Sequence, residues 1–182
     1  MKITATDLPE VMLIEPKVFR DNRGFFYESF NQNSFDASVG QKTSFVQDNH
    51  SRSTRGVLRG MHYQLPPRQQ GKLVRVTRGA VFDVAVDLRR NSDRYGDWVG
   101  VEISEENGRQ LWIPAGFAHG FLVLSESADF LYKTTDYYSP QYERSFRWDD
   151  PAVGIEWPRA DAGLVISDKD AAAPDFADAT PF

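Results

Sequence analysis

Cysteine is absent from the 182-residue chain, and histidine occurs only three times, at positions 50, 62 and 119. The first absence excludes disulfides, thiolate catalysis and sulfur ligation, and fits a reducing compartment, so a cytoplasmic location is expected. Long apolar runs are also missing. Nothing approaches the roughly 20 residues that a membrane-spanning helix requires. The opening Met1-Lys2-Ile3-Thr4-Ala5-Thr6-Asp7 lacks the apolar stretch and small-residue cleavage site of a signal peptide. A net charge of −5 disfavours a general nucleic-acid binder, whose footprint is a basic surface. Low-complexity linkers are not evident either. The length suits one domain over residues 1–182, with N-terminal strands and a C-terminal arm.

What is present reads as strand. Val81, Asp83, Ala85 and Asp87 alternate with Phe82, Val84, Val86 and Leu88, and Leu73–Thr77 stands just before the turn Arg78-Gly79, which predicts pairing of the two runs. Further short runs at 98–103, 110–113, 120–124 and 130–134 are separated by turns such as Glu106-Asn107-Gly108 and Pro114-Ala115-Gly116. That pattern predicts an all-β sandwich or jelly roll with few helices. One short helix is expected over Asn31–Val39, closed by Gly40. The tail from Ala160 to Phe182 is rich in Ala and Asp and reads by composition as a loose arm. Its apolar Leu164-Val165-Ile166, ahead of Ser167-Asp168-Lys169-Asp170, suggests docking before it frays.

Charge is concentrated between positions 52 and 78, where Arg52, Arg55, Arg59, Arg68, Lys72, Arg75 and Arg78 fall. Such a run is either a solvated basic face or, with His62 embedded in it, an anion-binding wall. The stretch Gly56-Val57-Leu58-Arg59-Gly60-Met61-His62-Tyr63-Gln64 and the stretch from Gly108 through Pro114 and Gly116 to His119 are similar to the two halves of the cupin histidine signature. Gln64 stands where a second histidine is expected, and no glutamate follows closely. A cupin metal needs about three imidazoles and a carboxylate converging on it. A pocket of this kind is therefore expected to work by acid–base chemistry with no metal.

His62 is either a hydrogen-bonded structural histidine or a general base, and a base would need an orienting carboxylate on its other nitrogen. Strand alternation puts it on one face with Gly60 and Gln64. Tyr132 is either a core aromatic or a phenol projecting into the barrel opposite His62. His119 is a structural remnant or a site residue, and Lys72 a solvated or a functional lysine.

The segments Asp21-Asn22-Arg23-Gly24-Phe25-Phe26-Tyr27-Glu28, Phe45-Val46-Gln47-Asp48-Asn49-His50-Ser51, Leu58–His62, Gln70–Arg75, Pro114–Phe121, Tyr137–Pro140 and Lys169-Asp170 resemble the dTDP-4-dehydrorhamnose 3,5-epimerases, in order and nearly end to end. The resemblance implies a homodimeric cupin-type jelly roll (double-stranded β-helix), without cofactor, acting on a dTDP-4-keto-6-deoxy sugar. It further implies epimerisation at C3 and C5 of dTDP-4-dehydro-6-deoxy-D-glucose through an enolate, giving dTDP-4-dehydro-L-rhamnose. His62 matches the family's base, Asp170 its orienting carboxylate, Tyr132 the acid on the far face of the sugar and Lys72 the cation at the developing oxyanion. Arg23 and Arg59 match diphosphate clamps. Glu28, Gln47, Asp48 and Asn49 match contacts to thymidine or sugar, Tyr138 the ring stacked on thymine, and His119, Glu143 and Lys169 further ligand positions.

Two alternatives stay open. Enzymes inverting only C3 or only C5 keep both His62 and Tyr132, so these residues do not discriminate between outcomes. A non-catalytic nucleotide-sugar-binding cupin would lack the base or the acid. A metal-dependent cupin oxygenase is disfavoured by the missing ligands.

Overall fold

A computed structural model describes residues 2–160 and 163–182. Two open antiparallel sheets face each other. The first runs in the order β1 (Lys2–Ala5), β2 (Met12–Glu15), β10 (Gln110–Ile113), β7 (Lys72–Arg78), β12 (Ser127–Thr134) and β5 (Gln47–Thr54). The second runs β13 (Glu143–Ser145), β6 (Leu58–Gln64), β11 (Phe117–Val123), β8 (Ala80–Asp87) and β9 (Trp98–Ser104). A separate ribbon pairs β3 (Phe19–Asp21) with β4 (Gly24–Phe26). The architecture is the expected all-β cupin-like jelly roll.

Alternation along each strand sends one set of apolar side chains into the space between the sheets. Val74, Val76, Leu111, Ile113 and Phe130 of the first sheet are buried there against Val81, Ala85, Ile103, Phe117, Phe121 and Val123 of the second. Phe121 and Phe130 stack across the gap with ring centroids 4.1 Å apart. Each outer face has its own cover. Helix α1 (Gln32–Val39) lays Phe35, with Phe30 and Phe45, over Ile14, Leu73 and Trp112 of the first sheet. Burying a ring of this size stabilises by about 1.5–3 kcal/mol. The helix starts where expected, with the Asn31 side chain accepting from Ser34 N, and ends at Gly40 in the left-handed region at φ 76°.

Two expectations need correction. The runs on either side of Arg78-Gly79 do not pair: β7 lies between β10 and β12 in one sheet, and β8 lies between β11 and β9 in the other. Gly79, at φ 74°, passes the chain from sheet to sheet, and a Cβ there would collide with the Ser127 carbonyl. Propensity identified both strands but not their partners, which lie far off in sequence.

The C-terminal segment is not a loose arm. Val165 bridges to Val57, with Val165 N donating to Gly56 O at 2.8 Å and Leu58 N to Val165 O at 3.0 Å. A short helix α2 (Asp168–Ala171) follows, and Phe176 and Ala179 then cover Met61, Tyr63, Val84, Val86 and Ala118 on the outer face of the second sheet. Phe182 N donates to Leu88 O at 2.8 Å, so docking persists to the last residue.

Candidate active site

Strand β6 is the backbone of the site. It pairs with β11 so that His62 stands opposite His119, and a Cβ on Gly120 would lie 2.9 Å from the Arg59 carbonyl and 2.6 Å from Met61 Sδ. Only glycine there lets the two strands approach this closely. His62 Nε2 lies 2.6 Å from Asp170 Oδ1, and Asp170 is brought over β6 by α2. The helix is capped by the Ser167 hydroxyl, which accepts from Asp170 N at 3.1 Å. Burial works against the Asp170 charge, but the hydrogen bond and charge of His62, helped by the Gly60 amide, hold its carboxyl below the usual range. A carboxylate only accepts, so Nε2 carries the proton and Nδ1 keeps a lone pair.

Across the gap, β12 presents Tyr132 and Phe130, β5 presents Asn49 and Ser51, and β7 begins with Lys72. These residues line one cleft with Arg59, His119 and Phe121 from the second sheet. The dyad and the phenol thus stand on opposing sheets. Lys72 Nζ is 3.4 Å from the His62 carbonyl. Burial pushes the Lys72 ammonium down to about 8, with Asp83 and Glu143 opposing the shift. Burial also raises the Tyr132 phenol, an effect that Arg59 partly offsets, so the hydroxyl stays protonated at neutral pH. Arg59 Nε and Nη2 both donate to Ser53 Oγ, at 3.3 and 3.2 Å, leaving Nη1 to meet an anion.

At the rim, Glu143 Oε2 accepts from Lys169 Nζ at 2.6 Å and from the Tyr138 hydroxyl at 2.9 Å. Burial opposes the Glu143 charge, yet these two bonds hold its pKa down. Gln47 braces the same corner, its Oε1 accepting from Tyr138 N at 3.0 Å and its Nε2 donating to Asn49. Gln64, where a second metal-binding histidine was expected, has its amide fully engaged. Nε2 donates to the Arg68 carbonyl at 2.6 Å, and Oε1 accepts from Ser139 N at 2.8 Å. Among the described residues, no three His, Cys, Asp or Glu side chains gather as a metal set.

Eleven of the fourteen residues named from the sequence surround this cleft or brace its rim: His62, Tyr132, Asp170, Lys72, Gln47, Asn49, Arg59, His119, Tyr138, Glu143 and Lys169. Three do not. Arg23 sits on the exposed ribbon, paired with Asp21 at 2.6 Å. Glu28 accepts from Asn31 ahead of α1. Asp48 alternates with Asn49 onto the outer face of the first sheet, where Lys133 Nζ meets it at 2.9 Å. The same alternation divides the basic segment: Arg59 and Lys72 reach the cleft, Arg75 lines an adjoining depression with Leu131 and Lys133 on the other face of the sheet, and Arg52 pairs with Asp129. It is not a single anion-binding wall.

Sequence reasoning missed Asp83, which is wholly buried with Oδ2 2.9 Å from His119 Nε2. Its signal was an acid on the same strand face as Val81 and Ala85, an inward position for a residue seldom buried unpaired.

The profile of the dTDP-4-dehydrorhamnose 3,5-epimerase family matches residues 5–178. A relative of that name from Pseudomonas aeruginosa is 60% identical over 182 residues, covering 100% of this chain and 99% of the relative. The crystal structure of dTDP-6-deoxy-D-glucose-3,5-epimerase from Legionella pneumophila, in complex with dTDP-4-keto-L-rhamnose, superposes with a TM-score of 0.92 at 54% identity, covering 96% of this chain and 92% of that one. A 3′-monoepimerase from Streptomyces bikiniensis, in complex with dTDP-quinovose, superposes at 0.89 with 35% identity, covering 96% and 87%. With a family match over nearly its whole length, a phenol and a lysine lining one cleft and a His–Asp dyad beside it, the chain belongs to the dTDP-4-dehydrorhamnose 3,5-epimerase family.

Proposed function

We propose that His62 is the base and Tyr132 the acid with which this enzyme inverts C3 and C5 of dTDP-4-dehydro-6-deoxy-D-glucose, giving dTDP-4-dehydro-L-rhamnose for dTDP-L-rhamnose biosynthesis. The carrying observation is that the His62–Asp170 dyad and Tyr132 stand on facing sheets, with His62 directly opposite His119 of the cleft that Tyr132 lines. A proton must leave one face of the sugar and return to the other.

Both carbons flank the C4 ketone, so the same carbonyl acidifies each C–H. His62 Nδ1 takes the proton, and the C–H electron pair moves into a C–C double bond while the carbonyl pair shifts onto O4. The resulting enolate oxygen is met by the Lys72 ammonium, a fixed cation in a desolvated pocket. Tyr132 then delivers its proton to the opposite face, O4 becomes a ketone again, and the centre is inverted. Proton exchange with solvent resets the imidazolium and the tyrosinate. Asp170 keeps His62 in the tautomer that leaves Nδ1 free. Arg59 suits a diphosphate oxygen, the Tyr138 ring a stacked thymine, and Asn49, His119, Glu143 and Lys169 the remaining polar contacts.

Incubation with this substrate in deuterated water is expected to place label at both C3 and C5. Label at one carbon alone would instead make the chain a mono-epimerase, the activity named for the Streptomyces structure.

The working unit is a homodimer with each chain, residues 1–182, folded as one domain. Support for the dimer comes from the ribbon, which exposes Phe19, Phe25 and Phe26 together and holds Arg23 away from its own cleft. A second copy would cover the rings and receive Arg23 and Glu28. A cysteine-free chain acting on a nucleotide sugar suits the cytoplasm. Nucleic acid and membrane have no part in the reaction.

A further inference from the structure

We propose that Asp83 is a positioning residue for this reaction: one buried carboxylate that fixes His119 with a bare Nδ1 facing the substrate and sustains the cationic charge of Lys72. The proposal rests on the function assigned above and extends it to a group outside the His62, Tyr132 and Lys72 set. Asp83 comes from β8, the strand next to β11, and its side chain has no exposed surface. Oδ2 lies 2.9 Å from His119 Nε2, and among the described residues this is the only hydrogen bond of the ring. Burial raises the Asp83 carboxyl, and the charge and hydrogen bond of His119, with the charge of Lys72, oppose that shift; as a carboxylate it accepts and never donates, so the proton is on Nε2 and the neutral ring keeps Nδ1 as an acceptor. His119 lines the cleft, where a bare nitrogen takes a hydrogen bond from a sugar hydroxyl.

The other oxygen, Oδ1, is buried without a hydrogen-bond partner among the described residues. A carboxylate purely structural in role is expected to have both oxygens satisfied. One left bare in a desolvated pocket projects its field onto nearby cations. Lys72, whose ammonium the Asp83 charge favours, lines the same cleft as the His119 that Asp83 holds. The titratable and charged groups around that lysine are Asp83 on β8, Glu143 on β13, His119 on β11, His62 and Arg59 on β6, His50 on β5 and Tyr132 on β12. Only the two carboxylates favour the ammonium, and Asp83 is the larger influence of the two. Burial pushes the His119 imidazole down despite Asp83, so His119 is neutral and does not compete for the negative charge.

The test compares wild type with Asp83→Asn, which keeps the acceptor near Nε2 and removes the charge. Solvent-deuterium exchange is expected to fall by about 10- to 100-fold, the loss typical of removing an orienting partner, with KM changed far less than kcat. The alkaline limb of the kcat/KM profile is expected to move to lower pH, because Lys72 gives up its proton more readily without the neighbouring anion. An unchanged limb, or one moved to higher pH, in a folded variant would overturn the proposal. Nitrogen-15 NMR of histidine-labelled, substrate-free wild type gives a second reading that needs no variant. His119 protonated at Nε2 and bare at Nδ1 supports the proposal, and a ring protonated at Nδ1 or at both nitrogens refutes it. A wild-type enzyme that exchanges no deuterium would remove the function as well. Normal exchange with the wrong tautomer removes only the role of Asp83.

Discussion

His62 has its Nε2 committed to a carboxylate that is almost wholly buried, and in the proposed mechanism this commitment gives the base its direction. Replacing it by alanine is expected to abolish deuterium exchange at both carbons, since the other imidazole of that sheet, His119, is assigned a hydrogen bond to the sugar and not its C–H protons. Near-normal exchange at even one carbon, read by NMR of the product, would reveal a second base. Tyr132→Phe is expected to spare exchange more than inversion, because the base survives and the acid does not. Equal losses would assign the phenol to positioning. Lys72 sets the alkaline behaviour of the wild type. Its useful form is the protonated one, and burial has lowered its pKa to about 8, so kcat/KM should decline as pH rises through that value. A flat profile well above pH 8 would mean that Lys72 does not act as a charge.

Elements were more legible in the sequence than their partners. The helix over Gln32–Val39 was readable because Asn31 and Gly40 are local signals at its two ends, and β8 to β12 because alternation is local too. The crossing at Gly79 was not, since a glycine at a strand end serves a hairpin and a change of sheet equally well. The docking of the tail was signalled by Leu164-Val165-Ile166, but its alanines and aspartates hid how far it persists, although Ser167 three residues before Asp170 is itself a helix-start signal. Alternation along Gln47–Thr54 already separated Asp48 from Asn49, and the family resemblance grouped them nonetheless. The contact between β6 and β11 makes the sharpest demand at this scale. Gly120→Ala would press a methyl against Met61 and the Arg59 carbonyl. Overpacking of this kind costs about 1–3 kcal/mol, to be read from the midpoint of denaturant unfolding, and the displaced His62 strand should lower kcat as well. An unchanged midpoint would show that the strands can part without cost.

For the whole molecule, the unit of function is the proposed pair of chains. Light scattering is expected to give twice the 20.7 kDa chain mass. Arg23→Ala should leave that mass unchanged and raise KM, because the guanidinium serves a neighbouring cleft through a diphosphate oxygen. A monomer with full activity would contradict both expectations. Within each chain, the stack of Phe121 on Phe130 is a spacer between the sheet that carries His62 and the sheet that carries Tyr132. Shaving either ring to leucine would let the two walls settle together and leave the reach between donor and acceptor mismatched to the thickness of a pyranose. Stereochemical outcome in this enzyme is therefore a dimension of its hydrophobic interior as much as a property of its polar groups.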